Sequence, residues 1–407
     1  MQQVIKNKIG WIILVASLGY FVDIYDLLLF SIVRIQSLKG LGITQAAEVT
    51  SKGAMLINIQ MLGTIIGGFA WGILGDKKGR LTVLFGSILL YSLANVLNGF
   101  VVNIFQYQIL RFLAGVGLAG ELGAGITLVA ETMKKENRGY GTMIVAAVGI
   151  LGAVVAYWVA GKFEWRIAYF VGGGLGFMLL IMRIGVAESG IFTQQKDSTV
   201  KKGNVFDLFG NKKRFLKYLF TSFIALPIWF IIGVLIFFGR EFGIALHLKD
   251  LVSPGLGVSY AYFGGSLGNL LSGFLSQRFK SRKLIIGIFI PMAGIFMFIY
   301  LNLFMVSLGT YYLICGVLGF VTGYWVLFVT IGAEQFGTNL RATAATSLPN
   351  IARGYVIPMV IFFQFLTPRM GILKGTLLIA ILTLVLASIG LWKIKETYGI
   401  DLDYLEV

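Results

Sequence analysis

Apolar runs of about twenty residues, each long enough to cross a lipid bilayer, recur along the entire 407-residue chain. We read twelve of them: residues 10–37, 53–74, 81–102, 105–130, 140–161, 166–187, 217–239, 255–276, 284–304, 309–333, 344–367 and 371–393. Inside a bilayer the backbone must satisfy its own hydrogen bonds, so runs of this length are helices. Only 13% of the residues are charged and 57% are hydrophobic, whereas a soluble protein carries about a quarter charged residues. The expected fold is an all-α integral membrane protein with twelve transmembrane helices.

The formal charge of +16 raises the question of a nucleic-acid partner, and its placement answers it. With both termini on the cytoplasmic side, the inner segments hold 22 Lys and Arg, among them Lys6, Lys77, Lys134, Lys212, Arg278 and Lys283. The opposite face holds eight: Lys39, Lys52, Lys162, Arg166, Arg240, Lys249, Arg369 and Lys374. Arg34, Arg111, Arg183 and Arg353 fall in or at the edge of helices. This asymmetry follows the positive-inside rule and accounts for the charge without nucleic acid. The expected partner at this point is the bilayer itself, with both termini on the cytoplasmic side. The first apolar run is too long for the h-region of a signal peptide and reads as retained.

Catalytic chemistry finds little to work with. The single cysteine, Cys315, lies in an apolar run, and the single histidine, His247, in an outer loop. A His-based triad, a His/Cys metal cluster and an intrachain disulfide are all excluded, so no cofactor and no enzymatic function is expected.

The longest interior polar block, residues 188–217, divides the chain six helices plus six. The expected domains are 1–187 and 217–393, joined by a linker at 188–216 and followed by a tail at 394–407. Within the linker, "VFDLFGNKKRFLKYLF" reads either as a basic helix on the inner membrane surface or as a solvated connection. The two halves repeat. Gly63, Gly67 and Gly72 of the second run fall on Gly264, Gly268 and Gly273 of the eighth. Glu131, seven residues before Arg138, is echoed by Glu334, seven before Arg341. Small residues four apart let helices approach closely in lipid, and internal repeats mark secondary transporter folds.

The loop "GDKKGR" at 75–80 links the second and third runs, with a degenerate copy, "SQRFKSRK", between the eighth and ninth. Here the chain resembles the major facilitator superfamily over its whole length. Gly72, Asp76, Gly79 and Arg80 match that family's loop pattern G-x-x-x-D-x-x-G-R. The resemblance implies an inner charge network of Asp76, Arg80, Glu131 and Arg138 that helps hold an outward-open state, with Glu334 and Arg341 as second-half counterparts. Gln277 stands where the second loop would carry Asp. Arg111 and Gly115 match the family's R-x-x-x-G in the fourth helix. "GE" at Gly120–Glu121, the string Asp23-Ile24-Tyr25-Asp26, "RIGVAESGIF" and the tail "ETYGIDLDYLE" are similar to the metabolite:proton symporter branch, although Ile24 replaces a usual tryptophan.

Ionisable residues within a membrane span are functional candidates by default. At about 1.5 Å per residue, Asp23 lies about 20 Å and Asp26 about 24 Å above the start of the first helix. Glu121 and Arg111, on the descending fourth helix, lie at roughly 14 and 29 Å. The expectation is therefore that Asp26 pairs with Arg111 and couples proton to substrate, with Glu121 and Asp23 the other candidate carriers, Asp23 having only another acid near its depth. Arg353 lies between Pro349 and Pro358, and no second-half acid is at similar depth to neutralise it, which suggests an anionic substrate gripped bidentately. Asn350, Trp229, Tyr324 and Trp325 are further candidates for lining the site. The expected function is proton-coupled uptake of a small carboxylate or amino-acid-like metabolite by alternating access. The alternatives are an exporter or proton antiporter of a siderophore, drug or metabolite, and a non-transporting membrane sensor.

Overall fold

The computed structural model describes residues 2–134, 136–184 and 208–404, with side chains from residue 9 onward. Among the described residues the chain is helical and contains no strand. We number the helices by span. In the first half these are α1 (Gln2–Gly40), α2 (Ala46–Lys78), α3 (Arg80–Asn98), α4 (Ile104–Leu118 and Glu121–Thr132), α5 (Arg138–Ile150 and Gly152–Lys162) and α6 (Trp165–Met182). In the second half α7 is built from Lys212–Phe223, Leu226–Phe230, a π-helical stretch Ile231–Ile236 and Gly239–Ala245. The remaining spans are α8 (Pro254–Arg278), α9 (Arg282–Tyr300), α10 (Leu308–Val321 and Trp325–Glu334), α11 (Thr338–Gly354 and Val356–Met370) and α12 (Ile372–Lys393).

Ten of these are long and apolar enough to cross a membrane, and α7 makes an eleventh across a 42° bend. The twelfth, α8, is long enough at 25 residues. Its apolar content is diluted by glycine, serine and Asn269, all of which serve packing. The helices run past the apolar limits read from sequence: α2 begins at Ala46 and α11 at Thr338. The basic stretch at Lys212 begins α7 rather than lying on the membrane surface as a separate helix, with the Asn211 side chain accepting from the Lys213 and Arg214 backbone N–H groups. Most of the connecting block, residues 185–207, lies outside the described residues.

The repeat is visible in how the glycines pack. At Gly63 and Gly67 a Cβ would run into the α4 backbone at Phe112 and Val116; at Gly264 and Gly268 it would meet the α10 backbone at Gly316 and Phe320. Each half thus seats its second helix directly on its fourth. The third glycine of each set faces the other half. A Cβ at Gly72 would lie 2.7 Å from Thr343 Cα of α11, and one at Gly273 would lie 2.6 Å from Met143 of α5. The interface between the halves is therefore made by α2 on α11 and α5 on α8, two versions of one contact.

Candidate functional site

Breaks in the helices position the central groups. α4 breaks at Ala119–Gly120 and α10 at Thr322–Tyr324, positions that correspond in the two halves; α7 breaks at Ile224–Ala225. Each break frees backbone groups that need partners inside the membrane. Asn350 of α11 donates through Nδ2 to Ala119 O (2.8 Å) at the α4 break, and Asn269 of α8 accepts from Val326 N (2.9 Å) just beyond the α10 break. The Tyr324 hydroxyl donates to Ile224 O (3.0 Å) at the α7 break. Tyr324 is thus a brace for α7 rather than a lining residue of the central cavity, a correction to the sequence expectation.

That cavity is small, about 30 Å³, and is lined by Tyr20, Trp229, Tyr262, Asn269, Thr322 and Trp325 among others. It has room for about one water, far below the volume of an ordinary small-molecule site. Trp229 and Trp325 meet edge to face at 5.8 Å, and Trp325 Nε1 donates to the Tyr20 hydroxyl at 2.9 Å. Beside this cluster Arg353 Nη2 lies 3.0 Å from Asp23 Oδ2, with both side chains buried. Its Nη1 donates to Asn350 Oδ1 (3.3 Å), and its guanidinium sits 5.9 Å from the Trp229 ring. The acid that neutralises Arg353 therefore comes from the first half, 330 residues away in sequence. Asp23 is not left beside another acid alone, as depth counting suggested.

Asp26 and Arg111 do not form the expected ion pair. Arg111 donates from Nη2 to Asn95 Oδ1 (2.9 Å) and from Nε to Asn98 Oδ1 (3.3 Å), and its guanidinium lies 4.8 Å from the Tyr169 ring. Both Asp26 oxygens are buried and meet no donor in good hydrogen-bond geometry among the described residues, although Arg111 and Asn95 remain their polar neighbours. One of them lies against Gly172 of α6, where a Cβ would displace it. Glu121 is engaged by Arg183, the residue that ends α6: Nη1 lies 3.0 Å from Oε2, and Nη2 contacts Oε1. Gly19 of α1 closes over this pair with no space for a side chain. Arg183 was legible only as one of four arginines at span level.

The end of the bundle that carries both termini is closed by a charge network. Glu131 Oε1 accepts from Arg80 Nη2 (2.8 Å) of its own half and from Arg341 Nη1 (3.1 Å) of the other. Glu334 repeats the arrangement. It accepts from Arg282 through Nε and Nη2 (both 2.7 Å) in its own half, while Arg138 of the other half approaches to 3.9 Å. Asp76 lies 3.8 Å from Arg80 and accepts from the Ala342 and Thr343 backbone N–H groups and from the Thr343 hydroxyl. Gly79 takes φ +100° between α2 and α3, a backbone that only glycine adopts without strain. Gln277 occupies the place corresponding to Asp76. It packs on Gly139 and donates a single long bond to Glu136 O (3.5 Å).

Arg282, the counterpart of Arg80, was missed because the degenerate second loop hides the register. The tail completes this end. Glu396 accepts from the Ser281 hydroxyl (2.6 Å) and from the backbone N–H groups of Arg282 and Lys283 (both 3.1 Å). Burial would push the Glu396 carboxyl up, but these hydrogen bonds outweigh it and hold it below the usual glutamate range. Leu402 O accepts from Arg341, and Ile400 O from Arg138 (3.3 Å).

At the far end, Arg34 of α1 and Glu241 of α7 approach to 3.4 Å across the halves. Both ends are closed in this structure, and no group of three or more His, Cys, Asp or Glu side chains is placed to hold a metal among the described residues.

Comparison with known proteins agrees with this architecture. The chain is 30% identical over 85% of its length to a putative metabolite transport protein of Haemophilus influenzae, covering 86% of that protein. It is 26% identical to the cis,cis-muconate transport protein of Acinetobacter baylyi, with 86% of each chain covered. The solved structure of the proton:xylose symporter XylE, bound to 6-bromo-6-deoxy-D-glucose, superposes with a TM-score of 0.79 over 98% of both chains, at 16% identity, a likeness of fold alone. Residues 12–354 match the Major Facilitator Superfamily. The chain belongs to that superfamily: it is a multi-pass membrane transporter, not an enzyme.

Proposed function

We propose that this protein couples inward proton movement to the uptake of a small carboxylate-bearing metabolite across a bacterial inner membrane, as a monomer with both termini cytoplasmic. The lysine and arginine asymmetry supports that orientation. The functional units are the six-helix bundles 1–187 and 217–393, which alternate about the central site, with 188–216 as linker and 394–407 as tail.

The observation that carries the reading is the Asp23–Arg353 pair, buried between the halves beside Tyr20, Trp229 and Trp325. A substrate carboxylate and Asp23 compete for one guanidinium, whose planar fork suits bidentate recognition. Asp23, once displaced, is an unpaired acid in a dry site and takes up a proton, because a neutral carboxyl is far cheaper to bury than an unpaired ion. Proton and substrate binding then favour each other, and the coupling is reciprocal. Asp26, buried beside Arg111 and Asn95 but in ion-pair contact with neither, is suited to hold a second proton. Glu131, Glu334 and their arginines, with Gly72, Asp76 and Gly79, hold the cytoplasmic end shut while the other end opens. The similarity to a cis,cis-muconate transport protein supports a carboxylate substrate.

The test is transport in proteoliposomes with a panel of carboxylates. Asp23→Asn is expected to keep substrate exchange at equal concentrations but lose accumulation driven by a proton gradient. Arg353→Ala is expected to lose carboxylates more than neutral solutes. Gradient-driven accumulation by Asp23→Asn with unchanged pH dependence would refute the coupling role.

A further inference from the structure

The far end of the molecule, opposite the termini, contains a second polar cavity that the central site does not use. It measures about 260 Å³ and is lined by Arg34, Lys39, Thr44, Thr50, Arg240 and Glu241, among others. Three cations thus surround one carboxylate, an excess of positive charge facing a space larger than the central one. Arg34 is the buried member, 1% exposed, lying across Gly53 of α2 and 4.5 Å from the Phe237 ring. Among the described residues its only hydrogen bond is the 3.4 Å contact from Nη2 to Glu241 Oε1, and its Nε and Nη1 are buried with no hydrogen-bond partner. Glu241 Oε1 also receives the Thr50 hydroxyl at 3.1 Å, while Oε2 has no partner. Lys39 and Arg240 form no ion pair among the described residues.

Resting on the carboxylate reading above, we infer that this cavity is a vestibular binding site for the anionic substrate, in which the substrate carboxylate replaces Glu241 on Arg34. A desolvated guanidinium with two unfilled donors is under-satisfied, and a single contact at 3.4 Å does not correct that. A bidentate carboxylate that took Glu241's place on Nη2 would also fill the vacant donor beside it on the same fork, and Lys39 and Arg240 offset its charge. Because Arg34 belongs to the first half and Glu241 to the second, the exchange also removes a bond that holds this end closed. The arriving substrate thereby loosens the barrier ahead of it, and Glu241 acts as an internal stand-in for the substrate.

This assignment gives the two partners opposite signatures. A merely structural ion pair loses the same bond whichever side is neutralised. A substrate stand-in does not. Glu241→Gln removes the competitor and is expected to tighten carboxylate binding roughly tenfold, whereas Arg34→Gln weakens it by a similar factor. The experiment is calorimetric titration of the purified full chain, in nanodiscs of zwitterionic lipid so that no anionic headgroup competes, at constant ionic strength. The probes are cis,cis-muconate, benzoate and fumarate. In an Arg353→Gln background, a weaker saturable binding is expected to remain and to disappear on adding Arg34→Gln. If Glu241→Gln and Arg34→Gln move affinity in the same direction, or neither moves it while Arg353→Gln abolishes all binding, the vestibular site is overturned and the central one stands. If no carboxylate binds the wild-type protein, both fall.

Discussion

The contact between α2 and α11 tests whether closure at the termini end is a property of one conformation or of the fold. Gly72→Ala adds one methyl group that would lie 2.7 Å from Thr343 Cα and 3.1 Å from Thr343 O, where ordinary contact begins at 3.4 Å. The backbones must separate by roughly 0.7 Å, and neither can yield by a rotamer change because the obstacle is main chain. Overpacking of this kind costs about 1–3 kcal/mol. The three atoms nearest the methyl all belong to the other half, so the penalty falls chiefly on the closed arrangement. A penalty of about 1–3 kcal/mol on one of two states shifts their ratio by roughly 5- to 150-fold. Gly63→Ala supplies the control, since its methyl would press on α4 of the same half and destabilises every conformation alike.

The assay uses a reporter cysteine. Cys315 is buried and is replaced by serine. Thr346→Cys, at a position 1% exposed that faces Gly123 across the interface, is then labelled with a membrane-impermeant maleimide from the termini side. Gly72→Ala is expected to raise the labelling rate by roughly 5- to 150-fold with a small change in thermal stability. Gly63→Ala is expected to lower thermal stability with little change in labelling. Equal labelling in the two variants would refute the claim that Gly72 acts only between halves.

Three further outcomes follow from individual pairs. Asp23→Asn leaves the Arg353 guanidinium buried and unpaired and is expected to cost about 3–5 kcal/mol of stability, whereas Arg353→Gln costs less because Asp23 can take up a proton, and the double substitution recovers most of the Asp23→Asn loss in thermal-shift measurements; additive losses would contradict the pairing. Glu121→Gln is expected to lower thermal stability through its Arg183 bonds while leaving the pH dependence of transport unchanged, and a shifted pH profile would reassign it to coupling. Glu396 sits below its ordinary value of 4.5, so its anchoring of the tail is fully present above that value and is lost as pH falls through the lowered one. The difference in melting temperature between wild type and Glu396→Gln should therefore be constant from neutral pH down to about 4.5 and vanish on further acidification; a gap that widens with acid would contradict the sign.

Span count and internal repeat were legible because they are one-dimensional signals: the length of an apolar run and the recurrence of glycine or Glu-x₆-Arg at a fixed offset. Depth was partly legible for the same reason, since rise along a helix is proportional to residue number. Helix rotation was not. Asp26 and Arg111 were placed at similar heights, yet Arg111 turns toward Asn95 and Asn98 of α3. Arg353 found its acid on α1, in the other half of the chain. The breaks in α4 and α10 were likewise invisible, because nothing in a run of apolar and small residues marks where the ladder stops. Tyr324 illustrates the point: an aromatic near a break looks the same in sequence whether it lines the cavity or braces a carbonyl.

The distribution of charge between the halves explains why one buried pair suits coupling and another does not. The central acids, Asp23, Asp26 and Glu121, all belong to the first half, and the second contributes Arg353 and the tryptophans. In the proposed transport cycle a pair within one bundle, such as Glu121 with Arg183, would move as a unit with its bundle. A pair across the interface is different in kind. Asp23 and Arg353 are held together only while the halves are, so any motion that opens the site also exposes a guanidinium in need of an anion. The network at the termini end follows the same rule, with Glu131 reaching Arg341 and Glu334 reaching Arg138 across the boundary. In the proposed cycle the bonds open to exchange are those that cross between the repeats, and the bonds inside each repeat hold its own helices together.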